Sequence, residues 1–118
     1  MFGSKKKIEP SVKKFVKEKL GFTKPSHQLA KTSCELTIGR NVRLDYNRNI
    51  NVVYQGKVAG QHSYQVELLN SGVSHNVYVP KGENICVLGI YYNDVIVGKL
   101  KEHSKFEVFT EVYAVRVN

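Results

Sequence analysis

Rings and amines stand close together along this chain: Tyr54 with Lys57, Tyr64 with His62, Tyr91 and Tyr92 ahead of Lys99 and Lys101, and Tyr113 near Arg116. A ring face stacks on a base and an ammonium group meets a phosphate, which is how small β-barrels hold single strands. The same tyrosines would equally serve as the rim of a core, rings inward and hydroxyls in water. Strand geometry limits the first use, because successive side chains point to opposite faces. Tyr91 and Tyr92 must therefore split, and at most one of them is a stacking platform on a given face.

No catalytic constellation accompanies these rings. Asp45, Glu67, Glu83, Asp94, Glu102, Glu107 and Glu111 fall beside turns or on alternating positions, and none forms an evident acid/base pair. His27, His62, His75 and His103 lack an H-x-x-x-H or Cys/His spacing, so no metal or other cofactor is expected. Phosphate-loop and dinucleotide fingerprints are absent as well. Cys34 and Cys86 read as reduced, buried thiols. A binding protein is thus favoured over an enzyme, with a hydrolase the remote alternative.

The formal charge of +8 is unevenly placed. Residues 1–40 carry ten Lys/Arg against Glu9, Glu18 and Glu35, a balance of +7, whereas residues 41–118 carry eight against seven. A basic arm precedes a nearly neutral body, and attraction to a polyanion should depend on the arm. A solvated lysine face that only aids solubility is the alternative. No apolar segment follows the opening MFGSKKK and no run reaches the length of a membrane span, so a cytoplasmic protein without membrane contact is expected.

The elements that position these residues follow from period and punctuation. Ile8, Val12, Phe15, Val16 and Leu20 recur at helical spacing, with Pro10 or Ser11 at the start and Gly21 at the stop, so an amphipathic helix is predicted over about residues 10–20. Lys13, Lys14, Lys17 and Lys19 occupy its wetter side. Residues 22–33 read as a linker or loop, which completes an arm of residues 1–33. From there to residue 118 a single β domain is predicted, with strands at 35–38, 41–46, 50–54, 57–59, 64–69, 74–79, 85–92, 95–100 and 106–117. Turns are expected at Gly39-Arg40, 47–49, Gln55-Gly56, 70–72, 80–84 and Asn93-Asp94.

Residues 85–100 form the longest nearly uncharged run and should be the central hairpin. Neither arm alternates strictly, so both faces should be covered. Gly89 and Gly98 within it signal a bulge, a sharp bend or a close approach. The final segment alternates and reads as half-exposed or as an edge strand. The predicted class is mainly β: a small, strongly bent barrel of SH3 or OB size preceded by one amphipathic helix.

The order of features from Val58 to His103 resembles the HIRAN domain, a small β-barrel module of bacteria and phages that also occurs fused to DNA-remodelling helicases. The likeness lies in Val58-Ala59-Gly60, Tyr64-Gln65 and Leu68-Leu69, and in the block from Gly89 to Glu102. It implies binding to DNA, in known cases to single-stranded 3′ ends. By this resemblance Lys101 is the phosphate-facing residue after the closing strand, and Asn84 stands where the family's end-binding loop lies. That loop is reduced here to Pro80-Lys81-Gly82-Glu83-Asn84-Ile85. A second stretch, from Gln55 to Tyr78 behind an N-terminal helix, is similar to the Sm-like RNA chaperone Hfq, although the Tyr-Lys-His signature of that family reads Tyr78-Val79-Pro80.

The expectation is therefore a non-enzymatic module for single-stranded nucleic acid, with DNA ends as the favoured target. Lys57, Tyr64, Asn84, Tyr91, Tyr92, Lys99 and Lys101 would line its surface, and Lys13, Lys14 and Lys17 would add electrostatic affinity. The rival from another class is a protein-interaction module, such as a phage or mobile-element regulator docking on a host protein through its helix or an edge strand. An Sm-like RNA-binding protein is the third reading, and oligomeric state is left open.

Overall fold

Val95, Ile96 and Val97 are consecutive and all fully buried, so the strand that carries them needs a covering layer on each face. A computed structural model describes residues 5–118 and shows those two layers; the first four residues of the basic arm lie outside the described residues. The chain runs α1 (Pro10–Glu18), β1 (His27–Thr37), β2 (Asn41–Asp45), β3 (Asn49–Val58), β4 (Gln61–Leu68), β5 (Val73–Tyr78), β6 (Ile85–Tyr91), β7 (Asp94–Glu102) and β8 (Glu107–Arg116). The strands make two antiparallel sheets, ordered β1-β8-β7-β6 and β2-β3-β4-β5. Between them lies one core built from Leu36, Leu44, Ile50, Val52, Tyr54, Tyr64, Leu88, Ile96 and Val112, among others. On the far face of the first sheet, Ile8, Val12 and Val16 of the helical segment pack on Val95, Val97, Tyr113 and Val115.

The mainly β class with one short helix is thus seen, but the two sheets are not closed into the expected barrel: β1 and β6, β2 and β5 end them as edges. At the open side between β5 and β6, His75 Nε2–H donates to the Leu88 carbonyl at 2.7 Å.

The helix forms where its spacing predicts. Glu9 caps it, accepting from the Val12 amide at 3.1 Å, Pro10 supplies a fixed φ in the first turn, and Gly21 leaves it at φ +79°. Burying Ile8, Val12 and Val16 contributes about 1.5–3 kcal/mol per side chain. That burial, more than any intrinsic propensity, keeps a helix this short folded.

Four expectations are corrected. Residues 27–33, read as linker, belong to β1, because backbone pairing with β8 organises a segment whose own pattern is weak. β8 is not an edge: it lies between β1 and β7, with Val108, Thr110, Val112 and Ala114 facing the other sheet and Tyr113 and Val115 under the helix. Strand β3 runs unbroken through Gln55-Gly56, where a bulge replaces the predicted turn, and the turn falls at Ala59-Gly60, both at positive φ. In the central hairpin the turn is Tyr92-Asn93, since Tyr91 pairs with Asp94, whose carboxylate is drawn inward by Arg116 and Arg48.

The two hairpin glycines have different close neighbours: a Cβ at Gly89 would stand 2.8 Å from Tyr91 Cε2, and one at Gly98 would meet Leu88. Leu88 is the extra residue of the β6 bulge between Val87 and Gly89, and its side chain lies over Gly98. A Cβ at Gly98 would stand 3.0 Å from Leu88 Cδ1 and 3.2 Å from its Cγ, and Leu88 is fully buried in the inter-sheet core. Gly98→Ala should therefore destabilise the protein by about 1–3 kcal/mol by overpacking, read as a lower urea midpoint. Combining it with Leu88→Val should recover part of the loss, and a neutral Gly98→Ala would refute the packing described.

Candidate nucleic-acid interface

Lys57 on β3 and His62 on β4 are register partners across the Ala59-Gly60 turn, so their side chains leave the same face of that hairpin. They form one wall of an open cleft of about 650 Å³. Lys99, Lys101 and Glu102 at the end of β7, the 80–84 loop with Lys81, Glu83 and Asn84, and Phe109 and Glu111 of β8 complete its lining. Four of the predicted site residues, Lys57, Asn84, Lys99 and Lys101, thus meet in one place although they come from three separate parts of the chain.

Charge in the cleft is largely internally paired. Lys57 Nζ donates to Glu102 Oε1 at 3.0 Å, and His62 Nε2 stands 3.2 Å from Glu102 Oε2. These two hydrogen bonds, that from Lys57 first, hold the Glu102 carboxyl below the usual carboxylate range. An ionised carboxylate only accepts, so His62 Nε2 carries the proton. In the neutral imidazole Nδ1 then accepts from the Tyr54 hydroxyl, 2.7 Å away. The order Glu102, His62, Tyr54 has the composition of a proton relay, but it ends on a tyrosine that is fully buried, so no substrate reaches that hydroxyl. Lys99 lies between Glu9 at 3.4 Å and Glu111 at 3.9 Å, which ties the start of the helix to the sheet. Lys81 and Lys101 have no carboxylate at ion-pair distance among the described residues.

The predicted rings do not join this cleft. Tyr64 is buried between the sheets with its hydroxyl against Thr110 Oγ1 at 2.8 Å, and burial pushes its pKa up. Its ring is core and offers no face to a ligand. Tyr91 and Tyr92 part because Tyr92 lies in the hairpin turn at φ +56° and not on the strand: Tyr91 packs on the inter-sheet core, whereas Tyr92 is 88 % exposed at the hairpin tip, with the Arg48 guanidinium 5.2 Å from its ring centre. Tyr92 is not among the residues that line the cleft. Its place near the lysines is taken by Phe109, half-buried, with His103 edge-on to it at 6.3 Å.

The helix lysines form a second basic surface. Lys7, Lys13, Lys14 and Lys17 line a shallow groove with Pro10 and Pro25. Lys5, Lys6, Lys7, Lys13, Lys14, Lys17, Lys19 and Lys24 are all exposed, and none is at ion-pair distance from a carboxylate among the described residues.

Sequence reasoning missed Lys81, Glu102 and Phe109, and grouped His62 with Tyr64 when its partner across the hairpin is Lys57. A turn placed at Ala59-Gly60 would have put Lys57 opposite His62, but Glu102 reaches them only through the stacking of two sheets. Among the described residues no group of three or more His, Cys, Asp and Glu converges as metal ligands, and no helix is long and apolar enough to cross a membrane. Cys34 and Cys86 are both free; burial pushes the Cys86 thiol up to about 12 and keeps it protonated. Comparison with protein-family models, with curated proteins and with solved structures finds no match to this chain.

Proposed function

We propose that this protein is a non-enzymatic nucleic-acid-binding module for single strands, DNA ends in first place, acting in the cytoplasm. The observation that carries the reading is the set of exposed lysines between Lys5 and Lys24, without ion-pair partners among the described residues, three of which, Lys13, Lys14 and Lys17, are held on a helix that is itself docked on the sheet. Fixing the cations before a strand arrives lowers the ordering cost of binding. Lys81, Lys101 and Asn84 add donors along the cleft, and Phe109 is the ring available for stacking there. The two-sheet body is on this reading an opened form of the small barrels that grip single strands, and the HIRAN resemblance supplies the preference for DNA ends. Fluorescence anisotropy with single-stranded DNA and RNA tests it: the logarithm of affinity should fall linearly with the logarithm of salt concentration, with a slope of about −0.7 per phosphate contact. Absence of any association at low salt ends the proposal.

A second reading is favoured by β5. Every residue of this edge strand except Val77 is exposed, it carries no Lys, Glu, Asp or Pro, and Val73 and Tyr78 are half exposed. Such an edge lacks the charges that usually prevent strand addition. Beside it lies a smaller groove of about 300 Å³ lined by Phe15, Val77, Tyr78, Ile85 and Val87. A protein partner added there would bind regardless of nuclease treatment and be lost on Val73→Lys with Tyr78→Lys, a pair of changes that should leave strand binding intact.

A further inference from the structure

Within the cleft, the His62 donor is held in place and the Glu102 acceptor is not. His62 is 8 % exposed, braced from behind by the Tyr54 hydroxyl, and sits with Lys57 on a paired hairpin. Glu102 is the last residue of β7 and its side chain is 47 % exposed, with no side-chain hydrogen bonds among the described residues other than those from Lys57 and His62. Its carboxylate can rotate into water and leave an N–H of His62 and the ammonium of Lys57 directed into the cleft.

We propose that Glu102 is a displaceable stand-in for a ligand phosphate. A phosphate group of the bound strand takes its place on Lys57 and His62, with Lys81 and Lys101 as the nearby unpaired cations. This rests on the nucleic-acid reading and assigns to that site its anion contact and its internal competitor. A phosphate oxygen accepts from the same two donors, and its tetrahedral shape leaves further oxygens for the amines of Lys81 and Lys101, which line the same cleft. Glu102 thereby holds the donors satisfied when no ligand is present and sets a threshold that weakly bound anions fail to cross.

The test uses the full chain and inorganic phosphate, with the His62 ring resonances followed by NMR. Glu102→Gln replaces a charged competitor with a neutral one of the same shape, and should tighten phosphate binding by roughly three- to tenfold, the gap between charged and neutral hydrogen bonds. Glu102→Ala should match or exceed it. Glu67→Gln, which makes the same change of net charge at a residue that does not line the cleft, should alter binding less than about twofold, as expected of a distant charge screened by salt. If His62 does not respond to phosphate, or if Glu102→Gln binds no tighter than Glu67→Gln, the proposal is overturned.

Oligonucleotides with and without a terminal phosphate then identify the source. Tightening confined to the phosphorylated strand assigns the site to a terminal phosphate, and tightening of both assigns it to the backbone diester. A chain that takes up inorganic phosphate as described yet binds no oligonucleotide supports the stand-in role and sinks the nucleic-acid reading instead.

Discussion

Reversing charge at Lys13, Lys14 and Lys17 together to Glu should cost about a hundredfold or more in affinity for single strands at about 0.1 M salt, and should make the log–log salt dependence shallower by about 2. The slope follows from three lost phosphate contacts at about 0.7 each, and the affinity loss is that same counterion-release term evaluated at this salt concentration. Repulsion from three new carboxylates adds to it. All three positions are exposed and clear of the Ile8, Val12 and Val16 stripe, so the fold should survive. Circular dichroism and the urea midpoint check that point. An unchanged affinity and slope would place the strand elsewhere or nowhere.

Deleting residues 1–20 is a poorer version of the same experiment. It would uncover Val95, Val97, Tyr113 and Val115, so lost binding could not be told from lost structure. A cleaner companion is Val16→Asp, which keeps every lysine but removes the docking contact. It should weaken strand binding less than the charge reversal does, because the charges remain while their fixed spacing is lost. Equal losses from both would show that the docked arrangement, more than the charge itself, determines affinity.

The largest effect on stability is expected from Asp94→Ala. This carboxylate is 2 % exposed, accepts from Arg116 Nε at 2.6 Å, and has Arg48 Nε at 3.5 Å. Burial, followed by the Asp94 charge, pushes the Tyr46 hydroxyl up to about 12, which marks a poorly solvated pocket. Removing the carboxylate leaves two guanidinium groups without a counter-charge beside the Tyr46 and Tyr91 hydroxyls, which have no hydrogen-bond partner among the described residues. Breaking a buried pair from one side costs about 3–5 kcal/mol. Both arginine side chains keep about a quarter to a third of their surface in water, so the lower end, about 3 kcal/mol, is expected here after screening. The midpoint of chemical denaturation measures it. Asp94→Ala in an Arg116→Ala background should cost less than in the wild type, and a loss below about 1 kcal/mol would show that the pair is solvated.

Much of this fold is visible in local pattern, and its failures have local causes. The amphipathic helix appears where Ile8, Val12 and Val16 recur at helical spacing, because a helix face of that period has only one way to be buried. The uncharged, non-alternating hairpin signals burial on both faces, and β7 is covered by the helix on one side and the second sheet on the other. Asp94 misled because Asn-Asp is a good turn pair in isolation; its place inside the fold is decided by Arg48 and Arg116, residues on two other elements. Residues 27–33 have no persuasive pattern of their own, and their strand exists because β8 offers a ladder.

The candidate site divides in the same way. Charge asymmetry and the lysine-bearing helix face are properties of neighbouring residues, so the sequence by itself determined them. Tyr64 and Lys57 look alike as surface candidates when only neighbours are considered, yet one is sealed between two sheets and the other opens on a cleft. Which residues share that cleft was decided only by the tertiary structure. The stacking of two sheets brings Glu102 within hydrogen-bond distance of Lys57 and His62, 45 and 40 positions away, and hydrophobic burial, which drives that stacking, depends on area removed from water and not on separation along the chain.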